Sequence, residues 1–116
     1  MAATVEEIEA WLGRPLPEPY RSFLAGIVED FLAGNDRTLV YGRDSVLERN
    51  ETFEAKRYCP GHLAVGDDSG GVALVLSLDD GRVHSVGMGS MTPDEFKPVA
   101  LSFVAWAAAG FPAAND

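Results

Sequence analysis

The chain has 116 residues, 47% hydrophobic and 23% charged, which fits a single globular domain over residues 1–116 and is too short for two domains of ordinary size. Its 18 acidic side chains against 9 basic ones give a formal charge of −9, and from residue 59 onward Arg82 and Lys97 are the only Lys or Arg residues. That field repels nucleic-acid phosphates and anionic membranes and favours a basic partner, so neither nucleic acid nor membrane is expected as a ligand.

Thr4-Val5-Glu6-Glu7 reads as a capping box, in which Thr4 accepts from the Glu7 N–H while the Glu7 carboxylate reaches back. Ile8, Trp11 and Leu12 give the ensuing helix an apolar face, and Gly13 stops it. Pro15, Pro17 and Pro19 make the next stretch an extended link leading to a second helix start. Tyr20, Phe23, Leu24, Ile27, Val28, Phe31 and Leu32 follow i, i+3, i+4 spacing, which predicts three helical turns with Phe23 and Ile27 in the core. Gly34-Asn35-Asp36 is expected to end that helix, and Thr38–Tyr41 is β-branched and aromatic enough for a strand. Asp44 is a candidate cap for a short helix carrying Val46 and Leu47, with Asn50 at its end, and residues 51–61 read as a surface connection.

Leu63 to His84 is the strongest structural signal, three strands joined by two tight acidic turns, Asp67-Asp68-Ser69-Gly70-Gly71 and Asp79-Asp80-Gly81. Val72 to Leu78 is apolar except at Ser77, the pattern of a strand covered on both faces. Thr92-Pro93-Asp94-Glu95 reads as a second capping box, with Pro98 interrupting or restarting the helix. Val99, Phe103 and Trp106 supply its apolar face, Gly110 and Pro112 close it, and the last four residues are expected to fray.

Equipment for chemistry is sparse. Cys59 is the one cysteine, which excludes an intrachain disulfide and a multi-Cys metal site and reads as a structural thiol. His62 and His84 lie 22 residues apart on different predicted strands or strand ends and read as solvent-facing. No nucleophile elbow or phosphate loop ending in Gly-Lys-Ser/Thr is present. The Asp67–Gly71 turn lacks a lysine for phosphate, and its spacing matches no calcium loop, so neither cofactor nor metal is expected. Adjacent carboxylates point in different directions, so Asp67/Asp68 and Asp79/Asp80 do not face a substrate together. Glu6, Glu7 and Glu9 interrupt any signal-peptide core, and Val99–Ala109 is too short to span a bilayer, so a cytoplasmic location is expected.

Glu7-Ile8 to Leu12-Gly13, then Leu16-Pro17-Glu18-Pro19-Tyr20-Arg21-Ser22-Phe23-Leu24, resembles the opening of the SUKH superfamily, the Smi/Knr-type immunity and regulatory proteins. Tyr41 with its short helix, Leu63 to Gly71, the turn before Val83, and Ala100-Leu101-Ser102-Phe103 with Trp106 resemble that family in order, so the likeness covers residues 5–109. One difference is Gly26–Asp36, where apolar spacing runs on to Leu32 and many relatives carry a polar Gly-Gly loop. The resemblance implies an α+β fold, N-terminal helices packed on a mostly antiparallel central sheet with a C-terminal helix. It implies a non-catalytic immunity protein that binds and neutralises a cognate toxin, a nuclease effector, the alternative being a regulatory or scaffold module that binds protein. A basic toxin domain as partner suits the acidic composition. Asp68, Asp79 and Asp80 on the two turns, with Glu48 and Glu51 on the short helix and its exit, are the candidate partner-binding residues, and Asp67 is expected to serve its own turn.

Overall fold

Thr4 opens the chain's first helix as its residue types dictate: the side chain accepts from the Glu7 N–H at 3.1 Å, and the Glu7 carboxylate accepts from the Thr4 N–H at 3.0 Å. The computed structural model describes residues 2–33 and 37–113. Helix α1 (Val5–Leu12) ends at Gly13, whose φ of 77° suits a residue without a Cβ. Val5 and Ile8 are buried, whereas Trp11 and Leu12 are half-buried. After the proline link, α2 (Tyr20–Ala25) buries Tyr20 and Leu24.

The second helix is shorter than the periodicity predicts. It stops at Gly26, and Phe31–Ala33 forms strand β1 paired with β2 (Thr38–Val40), Phe31 opposite Val40. Val28 and Leu32, expected on the buried stripe, are 42% and 53% exposed, and Ile27 is half-buried. Gly26 carries a high helical entropy cost, and tertiary bonds hold the segment beyond it in a non-helical path. The Asp30 carboxylate accepts from the Gly42 N–H at 2.8 Å, and the Val28 carbonyl accepts from the Asp44 N–H at 2.9 Å. The expected stop at Gly34-Asn35-Asp36 lies outside the described residues, as do the final three.

Helices α3 (Val46–Thr52) and α4 (Ala55–Tyr58) connect β2 to β3 (His62–Asp67). This corrects the reading of residues 51–61 as surface connection, because Ala55 and Cys59 belong to the core. Ser45, not Asp44, stands at the start of α3, without a side-chain cap. Asn50 does not end α3. It lies inside the helix, fully buried, and bonds both backbone groups of Ala64: Nδ2 donates to the Ala64 carbonyl at 2.9 Å and Oδ1 accepts from the Ala64 N–H at 2.7 Å. Strand β2 pairs with β3 at Gly66 and Asp67, and the Tyr41 N–H just beyond it donates to the Val65 carbonyl at 3.0 Å, so the Asn50 amide takes the place of a strand neighbour at Ala64, where that pairing ends.

Strands β4 (Val72–Ser77) and β5 (Val83–Gly87) come next as hairpins, and with β6 (Lys97–Ala100) the six strands of the described residues form one antiparallel sheet in the order β1-β2-β3-β4-β5-β6. Consecutive residues Leu63–Val65 and Ala73–Leu76 are all fully buried, so the central strands are covered on both faces. A Cβ on Gly66 would lie 2.6 Å from the Leu39 carbonyl oxygen, so close approach of β2 to β3 requires glycine there.

The expected helix from Thr92 is a single 3-10 turn, Pro93–Glu95, without a side-chain cap. Lys97–Ala100 is edge strand β6, where the missing N–H of Pro98 is tolerated. The closing helix α5 (Phe103–Ala108) starts at Ser102, whose hydroxyl accepts from the Ala105 N–H, and Val99 is buried from the strand rather than from that helix. Phe23, Tyr20, Phe31, Phe103, Trp106 and Phe111 form an aromatic cluster joining α2, β1 and α5, with Phe23 and Phe103 centroids 5.0 Å apart. The architecture is α+β with a C-terminal helix, as expected. No helix among the described residues is long and apolar enough to cross a membrane.

Candidate partner-binding surface

Three tight elements carry the candidate carboxylates: the β3–β4 turn, the β4–β5 turn and α3. In the first, Asp67 is buried, its Oδ2 accepting from the Tyr41 hydroxyl at 2.6 Å and its Oδ1 from the Ser69 N–H at 2.8 Å. Burial first, then the bond to Asp67, pushes the Tyr41 phenol above its ordinary range. Asp68 also works within its turn, because its Oδ1 accepts from the N–H groups of Gly70, Gly71 and Val72 at 2.8–3.0 Å. Partial burial opposes ionisation of Asp68, but those donors outweigh it and hold the carboxyl below the usual carboxylate range.

Asp79 and Asp80 project from the second turn, and each meets an arginine. Arg14 Nη2 donates to Asp79 Oδ1 at 2.8 Å and to the Leu78 carbonyl at 3.2 Å, while Arg82 Nε lies 3.6 Å from Asp80 Oδ2. The Arg82 backbone N–H is the main cause that lowers the Asp80 pKa. The two turns sit at opposite ends of the six-residue strand β4, roughly 20 Å apart at about 3.3 Å per residue, so they do not form one patch. Glu48 and Glu51 are exposed on α3 and have no ion-pair partner among the described residues. Glu29 and Asp44, exposed and likewise without an ion pair there, flank the entry to α3, where the Val28 carbonyl accepts from the Asp44 N–H.

The histidines come together in a way their separation in sequence does not suggest. His62 and His84 sit on β3 and β5 with ring centroids 6.4 Å apart across β4, and Phe96 contacts both, at 4.9 and 5.4 Å. The register carries the missed signal: His62 pairs with Ser77 and His84 with Val75, so the two imidazoles share a face. Burial, then the neighbouring His62, lowers the His84 pKa. The neighbourhood of His62 also holds Arg14 and Lys56, which with Leu12, Pro60 and Leu78 line a cavity of about 170 Å³. Lys56 Nζ donates to the Trp11 carbonyl at 2.6 Å and stands 4.7 Å from the centre of the Trp11 ring. Cys59 is fully buried, which pushes its thiol up and away from reactivity. Among the described residues, no group of three or more His, Cys, Asp or Glu side chains is placed to hold a metal ion.

Sequence reasoning missed Tyr41 as the partner of Asp67, Asn50 as the anchor of β3 to α3, and Arg14 as the counter-ion of Asp79. Each pairing joins segments distant in sequence, and only the folded register reveals it. Comparison with protein families gives a match to the model described as SMI1 / KNR4 family (SUKH-1), over residues 2–109. No curated protein matches the chain.

Proposed function

The chain belongs to the SMI1 / KNR4 family (SUKH-1), and from that premise we propose that it is a non-catalytic immunity protein that binds and neutralises a basic toxin domain, a nuclease effector. Glu48 and Glu51 lead the contact, with Glu29 and Asp44 extending the same acidic surface around the entry to α3. One observation carries this reading: these carboxylates are exposed and lack an ion-pair partner among the described residues, whereas Asp79 and Asp80 already face Arg14 and Arg82. A free carboxylate pairs with an incoming Lys or Arg at no cost to an existing pair, and it steers encounter from a distance. Asp79 and Asp80 contribute only by exchanging their own arginines, and Asp68 contributes through the oxygen its turn leaves free. Anchored by the buried Asn50 amide, α3 presents its carboxylates from a fixed position, which limits the ordering cost on binding.

The test is inhibition. Secreted nuclease domains encoded in the same cell are titrated with the chain, and the expected result is loss of nuclease activity at one-to-one stoichiometry with a complex stable to gel filtration. A panel of such domains that neither binds nor loses activity overturns the toxin reading and favours a regulatory protein-binding role.

A further inference from the structure

Helix α5 is apolar on both sides. Phe103 and Trp106 face the core, while Val104, Ala105 and Ala108 lie on the exposed side of the helix and Leu101 stands just before its Ser102 cap, Leu101 75% and Val104 57% exposed. A helix apolar all round is normally a buried one. From Pro98 to Ala113 the chain carries no charged residue, although the whole molecule stands at −9. Its polar side-chain groups are spent internally: the Ser102 hydroxyl accepts from the Ala105 N–H at 3.0 Å, and Trp106 Nε1 donates to the Pro112 carbonyl at 2.8 Å.

We infer that this face is where two copies of the chain associate, in a weak two-fold dimer through α5 and Leu101. Charge selects the occupant. A basic toxin surface laid on this patch strips water from its Lys and Arg groups and offers them neither carboxylate nor acceptor in return. Two copies at −9 repel each other over most orientations, and the uncharged α5 face lets them meet without opposing carboxylates. An isologous contact places Leu101 and Val104 against the same residues of the second copy, and the exposed alanines allow the helices to approach closely. Sheet-edge pairing through β6 is blocked instead, since Pro98 offers no N–H and Lys97 is exposed on that edge. Six helical residues span only about 9 Å, so the contact falls below the roughly 800 Å² per partner of stable complexes and is a transient one.

Sedimentation equilibrium of the chain alone, from about 10 µM to 1 mM in 50 and 500 mM NaCl, reads this directly. The expected average mass rises with concentration from 12.4 kDa toward twice that value, and more strongly at high salt, where repulsion between copies is screened. Leu101→Lys with Val104→Lys should weaken association at least tenfold although it lowers the net negative charge, with an unchanged far-UV spectrum and urea midpoint. A monomer throughout at both salts, association weakened by salt, or a double variant that associates like the parent would each overturn the proposal.

Discussion

Replacing Asn50 with Ala removes a side chain that makes no contact with solvent yet satisfies both backbone groups of a core strand. The Ala64 N–H and carbonyl lose partners at 2.7 and 2.9 Å, and backbone pairing from the β2 side stops at Val65, one residue short of replacing them. A buried backbone group left without a partner costs about 1–3 kcal/mol, so the pair sets a loss of about 2–6 kcal/mol. Against a total stability of about 5–15 kcal/mol for a domain of this size, that is a large fraction. With a urea m-value of about 1.5 kcal/mol per molar, the midpoint should fall by more than about 1 M. Asn50→Asp sharpens the test. Its ionised carboxylate still accepts from the Ala64 N–H but faces the Ala64 carbonyl with a second acceptor, whereas the protonated form can donate there. Its folded pKa is therefore raised above the unfolded value of about 3.9, so the variant should be closest to the parent below about pH 4 and lose stability as pH rises through that raised pKa. Urea unfolding followed by circular dichroism at pH 4 and pH 7 reads both effects. An Ala variant within about 0.5 kcal/mol of the parent at the same m-value, a margin usual for unimportant surface sites, would refute the anchoring role of Asn50.

Phe23→Ala should cost about 3 kcal/mol, the low end of the range for Phe deletion, because Phe23 is half-buried but touches Tyr20, Phe31, Phe103 and Phe111; urea unfolding indistinguishable from the parent would mean the aromatic cluster does not hold α2 to α5. Asp68 ionises more readily in the fold than in the unfolded chain, so its contribution is present above about pH 4 and lost as pH falls through its lowered pKa; Asp68→Asn should shallow the acid limb of a stability–pH curve and leave its shape unchanged near neutrality. Charge reversal of Glu48 and Glu51 should slow association with the toxin several-fold at low salt, the difference shrinking near 0.5 M, while reversal of Asp79 and Asp80 should do less; stopped-flow kinetics giving the opposite ranking would move the contact to the hairpin end. Replacing His62, His84 and Cys59 with Ala, Ala and Ser should leave toxin neutralisation intact, and loss of neutralisation in a variant that still unfolds cooperatively would point to chemistry or metal at the histidine pair.

The parts of the fold legible in the sequence are those whose cause is local. The Thr4–Glu7 box, the Gly13 stop and the two hairpins each need only a few neighbouring residues, and each stands where expected. The misread parts are those where a distant partner decides. Over Ile27–Leu32 the same apolar residues satisfy a helical period, and what makes Phe31–Ala33 a strand is Thr38–Val40 beside it. Pro98 reads as a helix interruption because nothing nearby shows that Lys97–Ala100 has β5 on one side and an open edge on the other. Asn50 resembles a helix end because that is the common use of a lone Asn near a helix terminus, and its true partner lies fourteen residues further on.

The candidate surface is harder to read, because net charge does not say which carboxylates are free. Glu9 and Glu6 hold Arg21, Glu18 bonds Ser22, Asp30 bonds the Gly42 N–H, and Asp67 and Asp68 close their own turn. Asp79 and Asp80, the most conspicuous pair in the sequence, face Arg14 and Arg82. Exposed carboxylates outside these pairings include Glu29, Asp44, Glu48 and Glu51, along α3 and its entry, with Asp94 and Glu95 on the separate turn before β6. An acidic chain thus separates its carboxylates by task, some spent on turns and links within the fold and others left to act at a distance. Steering a basic partner depends on the second group, because a carboxylate already neutralised by an arginine contributes little field beyond its own pair. The α5 segment, uncharged from Pro98 to Ala113, stands apart from both groups.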